Sequence, residues 1–207
     1  MRCLQLWRCA GVLLLSPLLT ASGMADDADW HHARSAHGVE VETRAVAGSA
    51  FQEFRARTVV PAPLEQVVGW WRDPSTFTSW VNSCMEARAV DAGKDVRATY
   101  LRFDFPFPAS DRDVVLRAVE IEAGPERVIV ESHHVAGAVP EIEGLVRMPA
   151  MRGRWQFTAH PGGTEVIYRQ HMDAGGDLPA FIVNRATVDN PIGTLAGLAA
   201  YARDHAR

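Results

Sequence analysis

The sequence predicts one α+β domain, and three features carry that reading. A series of short β-branched and aromatic runs, separated by turn signals, occupies the centre of the chain. A hairpin-like pair of runs and an amphipathic helix precede it. A long helical pattern closes the chain from Leu178 onward. Strands in series framed by helices give an α+β architecture.

The closing helix is the longest element. Leu178, Phe181, Ile182, Arg185 and Ala186 recur at helical spacing, as do Ile192, Leu195, Leu198 and Ala202. A helix from about Ala180 to His205 would be roughly 40 Å long at ~1.5 Å per residue. That length matches about eight strands lying ~4.8 Å apart. Pro191 lacks an N–H and is expected to bend or restart the helix, with Asn190 as N-cap. Gly193, Ala196, Gly197, Ala199 and Ala200 make the second half slim. The residues alone allow two packings there, close docking on the sheet or a lid over a ligand cavity.

At the other end, Met1 to about Ala25 reads as a secretory leader. Arg2 and Arg8 precede an apolar run from Ala10 to Thr20, and Gly23-Met24-Ala25 offers small residues for cleavage. The run is short of the ~20 apolar residues that span a bilayer. The expected mature chain is residues 26–207, exported to a periplasm or secreted. Losing Arg2 and Arg8 makes the formal net charge of −4 two units more negative, which argues against nucleic acid as a partner. Cys3 and Cys9 leave with the leader, and Cys84 remains without an internal disulfide partner.

Between these ends, Asp26 to Ala36 is polar and reads as a loose or briefly helical lead-in. His31 and His32 are adjacent, a poor arrangement for sharing a metal ion. Val39, Val41 and Thr43 alternate with polar residues, and after Gly48-Ser49 so do Phe54, Ala56, Thr58 and Val60. Pro61 and Pro63 stop that strand. Leu64, Val67, Val68 and Trp71 then share a helical face until Asp73-Pro74, and a helical turn from Ser75 to Val81 carries Phe77 and Trp80. Strands are expected over 85–90, 96–103, 113–122, 127–134, 145–147 with 153–159, and 164–172. Turns at Asp91-Ala92-Gly93, Gly124-Pro125 and Pro161-Gly162-Gly163 divide them.

No GxSxG elbow, HExxH helix, P-loop or GxGxxG turn is present. His171 and Asp173 share one strand face and form the one conceivable acid–base pair. Cys84 has no evident base beside it.

One connection is less ordinary. Tyr100-Leu-Arg-Phe-Asp-Phe-Pro-Phe-Pro-Ala-Ser-Asp-Arg112-Asp113 resembles the PxPxxxRD passage of StAR-related lipid-transfer (START) domains. Val146-Arg147, Gly153-Arg154-Trp155, the run from Gly163 through Tyr168, His171, Asp173 and Gly175-Gly176 to Leu178-Pro179, and Asn184 are similar to that family's closing signature. The resemblance covers about Gly38 to Tyr201. Where family members often have Asp-Pro-Gly-Gly, this chain has Asp173-Ala174-Gly175-Gly176.

The resemblance implies a helix-grip fold: a curved antiparallel sheet wrapped around the C-terminal helix, enclosing a hydrophobic tunnel for one lipid-sized ligand. It favours the lid reading of the slim helix. It implies a carrier with no metal and no covalent cofactor, in transient contact with membranes. A cyclase or hydratase on the same fold, or a partner-binding protein with a filled cavity, are the alternatives. The expected ligand contacts are Tyr100, Arg102, Arg117, Arg147, Trp155 and Tyr168 on strands, with Phe181 and Leu195 on the helix. Arg117 is the nearest match to the basic partner of a buried pair in sterol-binding members, one residue short in spacing. Strand alternation puts Tyr100 and Arg102 on one face and Leu101 and Phe103 on the other, without saying which faces the tunnel. Arg112-Asp113 reads as a structural pair at a strand start.

Overall fold

The computed structural model describes residues 29–93, 97–105, 107 and 109–206. The expected leader, residues 1–25, lies outside the described residues.

The chain opens with strands β1 (His31–Ala36) and β2 (Val39–Arg44), then β3 (Glu53–Val60). Helix α1 (Leu64–Arg72), a 3-10 turn (Pro74–Thr76) and the short α2 (Phe77–Trp80) follow. Next come β4 (Cys84–Asp91), β5 (Arg97–Phe103), β6 (Arg112–Ala123), β7 (Arg127–His134), β8 (Val146–Arg147), β9 (Ala150–His160) and β10 (Gly163–Asp173). Helix α3 (Ala180–His205) ends the fold. The strands form one ten-stranded sheet in the order β1-β2-β3-β10-β9-β7-β6-β5-β4, with β8 attached to β6. Every pairing is antiparallel except β6–β8. This curved antiparallel sheet with a long C-terminal helix is the helix-grip α+β fold.

Two elements differ from expectation. The lead-in is not loose: residues 31–36 form edge strand β1, joined to β2 by His37 and Gly38, with φ of 54° and 76°. Positive φ at both central residues suits a tight hairpin turn. β1 is exposed almost throughout, so it has no buried face to print an apolar alternation on the sequence. Helix α3 is also not restarted at Pro191, whose ring is buried within a continuous helix. Tertiary packing on both sides of the proline holds the axis despite the missing donor.

The main core lies between the sheet and the second half of α3. Val39, Val41, Phe54, Val60, Phe157 and Val166 from the strands meet Leu195 and Leu198. Full burial of each such side chain contributes about 1.5–3 kcal/mol. The slim face of this half-helix has a close neighbour. A β-carbon on Gly197 would lie 2.4 Å from the Trp80 carbonyl oxygen, and one on Gly193 would lie 2.5 Å from the Asn82 side chain. The Asn82 N–H also donates to Thr194 Oγ1 at 3.2 Å. Here the glycines serve close docking, and the lid reading does not hold for this half of the helix.

Candidate functional site: an apolar cavity

Beneath the first half of α3 the sheet is not filled. A cavity of about 830 Å³ remains there, within the 300–1,000 Å³ range of small-molecule sites. Strand alternation builds its walls: Thr99, Leu101 and Phe103 from β5, Leu116 and Ala118 from β6, Met151 and Trp155 from β9. Trp71, Phe77 and Trp80 close it from the α1–α2 side. Ile182, Val183 and Ala186 cover it from α3, with Leu178 just before the helix. This face of α3, one to three turns before the slim stretch, is the lid.

The floor carries the polar groups. Tyr168 and Trp155 are register partners on β10 and β9, and their rings stack 3.8 Å apart at 14°. The Tyr168 hydroxyl donates to Gln170 Oε1. Burial pushes the Tyr168 phenol well above its ordinary value, so it remains a neutral donor. Gln170 Nε2 donates to Met172 Sδ at 3.7 Å. At the rim, Arg72 makes two 2.7 Å hydrogen bonds to Glu120, joining the end of α1 to β6.

Of the eight expected contact residues, Trp155 and Tyr168 line the cavity and the other six do not. β5 presents Leu101 and Phe103 inward, so Tyr100 and Arg102 lie on the opposite face. Tyr100 is fully buried there under Val135, Ala138 and Val139; burial and then the Asp113 carboxylate push its phenol up to about 12. Arg102 pairs with Asp111 at 2.6 Å. Arg117 has the outward parity of β6 and is exposed. Arg147 donates to both Asp113 oxygens, at 2.7 and 2.9 Å, clamping β8 to β6. Asp113 therefore is structural, as expected, but its partner is Arg147 rather than Arg112. Phe181 points outward, 74% exposed, and Leu195 is consumed by the core.

Gln170, Ser132 and Ile182 line the cavity without having been expected there. Parity could have found Gln170, since it shares a strand face with Tyr168. Asn184 fastens the lid helix: its side chain accepts from the Gln52 N–H at 2.9 Å and donates to the Ala50 carbonyl at 3.3 Å. In the same loop Ser49 Oγ lies 3.1 Å from His171 Nε2.

The conceivable catalytic groups do not meet in the cavity. His171 faces Ser49, and Asp173 accepts the Gly175 N–H at 2.9 Å. Burial pushes the Cys84 thiol up to about 11, so it is protonated at neutral pH. Among the described residues, no three His, Cys, Asp or Glu side chains are grouped as metal ligands. Nor is any described helix long and apolar enough to cross a membrane.

The fold and cavity together define a helix-grip protein of the START type. No family model matches the chain. It is similar to a crystal structure of a STAR-related lipid transfer protein from Xanthomonas axonopodis, with 31% identity and a TM-score of 0.76, over 84% of this chain and 99% of that one. It is 30% identical over 193 residues to an uncharacterized protein of Pseudomonas aeruginosa, covering 91% of this chain and 96% of the other. Human StAR-related lipid transfer protein 5 shares the fold, with a TM-score of 0.74 at 20% identity over 87% of this chain and 89% of that one. The chain belongs to the STAR-related lipid transfer family.

Proposed function

We propose that this protein encloses one lipid-sized hydrophobic molecule beneath the first half of α3 and carries it through an aqueous compartment. The observation that carries this reading is the 830 Å³ cavity, walled by Leu, Phe, Met and Trp side chains beside a core that is otherwise closely packed. Each methylene taken from water contributes about 0.8 kcal/mol, so a ten-carbon segment gives roughly 8 kcal/mol before ordering costs.

Ile182 and Phe105 border the cavity; Phe181, next to Ile182, is 74% exposed, and Phe107, two residues after Phe105, is 97% exposed. Exposed aromatics next in the chain to cavity residues suit transient contact with a membrane surface. The leader-like residues 1–25 support export, with the carrier working in the periplasm or outside the cell.

Native mass spectrometry of the exported protein, followed by solvent extraction, tests the reading. A stoichiometric bound lipid is the expected result, on a chain beginning near Asp26. A chain that is empty and ignores added lipid extract would overturn the carrier function. Retention of residues 1–25 on soluble or membrane-held protein would overturn the cleaved-leader proposal separately.

A further inference from the structure

The cavity floor carries two polar side chains, Ser132 and Gln170, that apolar packing does not explain. Gly153 on β9 lies between Ser132 on β7 and Gln170 on β10, its register partner on each side. A β-carbon there would sit 2.8 Å from Ser132 Oγ and 3.9 Å from Gln170 Oε1. The missing side chain leaves room that the Ser132 hydroxyl occupies, with the Gln170 amide on the opposite flank. Ser132 is 7% exposed and lines the cavity, and among the described residues its hydroxyl has no hydrogen-bond partner. Among the described residues, the side-chain atoms sealed from solvent without a partner are Tyr100 Oη and Arg112 Nε; Ser132 Oγ is not one of them and borders the cavity, where a ligand can reach it. Gln170 is 5% exposed. Its amide nitrogen has a sulfur atom as acceptor, a weak one, which leaves donor capacity for a ligand. The Tyr168 oxygen, having donated its proton to Gln170, retains lone pairs.

Charge is missing from this end. The cations among the described lining residues are Arg72 and Arg185. Arg72 is bound to Glu120 at the rim, and Arg185 lies 3.7 Å from Asp189 with its side chain 86% exposed. A carboxylate or phosphate reaching Ser132 and Gln170 would lose its hydration with no cation to replace it. A hydroxyl would find both a donor and an acceptor.

Resting on the carrier reading, we propose that Ser132 and Gln170, which flank Gly153 on the cavity floor, form the head-group site, and that it selects an uncharged lipid alcohol over anionic lipids. Ser132 and Gln170 bind the hydroxyl directly, and Tyr168 orients Gln170 through its hydrogen bond.

The test uses three pyrene probes with the same decyl chain, ending in methyl, hydroxyl or carboxylate, titrated into the purified protein. The hydroxyl probe should bind roughly five- to tenfold more tightly than the methyl probe, the gain of a net neutral hydrogen bond or two. The carboxylate should bind most weakly. Ser132→Ala, a near-isosteric change, should lose most of the hydroxyl preference, and Ser132→Ala with Gln170→Leu all of it. Equal binding of the methyl and hydroxyl probes, tightest binding of the carboxylate, or a preference that survives both substitutions would each overturn the head-group assignment while leaving a carrier. Failure of all three probes to bind would instead overturn the carrier reading, and the assignment with it.

Discussion

Gly197 of the C-terminal helix rests against the Trp80 carbonyl so closely that a β-carbon would lie 2.4 Å from its oxygen. That contact divides α3 into two halves with different work. The second half is wedged onto α2 and the sheet, and the first half roofs the cavity. Because the obstructing atom belongs to the backbone, no rotamer change relieves a larger side chain. Gly197→Ala should therefore destabilise the fold by about 1–3 kcal/mol despite its better helix propensity. Urea denaturation checks this; an unchanged midpoint would mean that α2 moves freely.

The roof half can be tested without disturbing the wedge. Ala186 lines the cavity from α3, and Ala186→Trp should fill the space below it. Lipid uptake is expected to fall at least about tenfold, with the far-UV circular dichroism close to wild type. Wild-type uptake would show that the ligand lies elsewhere.

Arg147 and Asp113 form a largely buried ion pair, with side chains 13% and 1% exposed. Arg147→Leu leaves the Asp113 carboxylate buried without its guanidinium and should cost about 3–5 kcal/mol. Asp113→Asn with Arg147→Leu should recover part of that loss, because the stranded charge is gone. A double-mutant cycle in urea measures the recovery.

His171 makes stability depend on pH. Burial, then the Arg152 charge, holds its pKa below 6.5, outweighing the nearby Glu53 and Asp173 carboxylates. The folded state therefore binds fewer protons than the unfolded one just below pH 6.5. The His171 contribution is complete above that value and is lost as pH falls through the folded pKa. Thermal melts between about pH 7 and pH 5 should show a falling midpoint that His171→Gln flattens. Glu53 adds loss of the same sign at lower pH. Burial raises its carboxyl, but the hydrogen bonds from Arg169 and Arg44, with their charges, outweigh burial and hold it below 4.5.

Phe107→Ser with Phe181→Ser should slow lipid delivery to vesicles severalfold, because the two exposed rings are the proposed membrane contact. Stopped-flow transfer to quencher-loaded vesicles reads the rate, with equilibrium affinity as the control. An unaltered rate would place the contact on another surface.

The residues explain which features were legible beforehand. β3, β10 and α1 each bury one face, so their side chains alternate at the period of their own geometry. β1 buries none and left no pattern. The Arg112-Asp113 step was visible as a structural feature, but the partner of Asp113 lies 34 residues onward, a distance no local period encodes. Gln170 was missed although the parity of Tyr168 places it on the same strand face, whereas Ser132 comes beside it only when β7, β9 and β10 are set side by side.

By itself, the sequence determined the order of most strands, the span of α3 from Ala180 to His205, and the family, because these depend on local period, turn chemistry and motif spacing. Tertiary structure decided which face of β5 looks inward, which half of α3 is roof, and where the polar groups of the cavity converge. Strand alternation says only that neighbours point to opposite sides. The curvature of the sheet around α3 assigns one of those sides to the cavity.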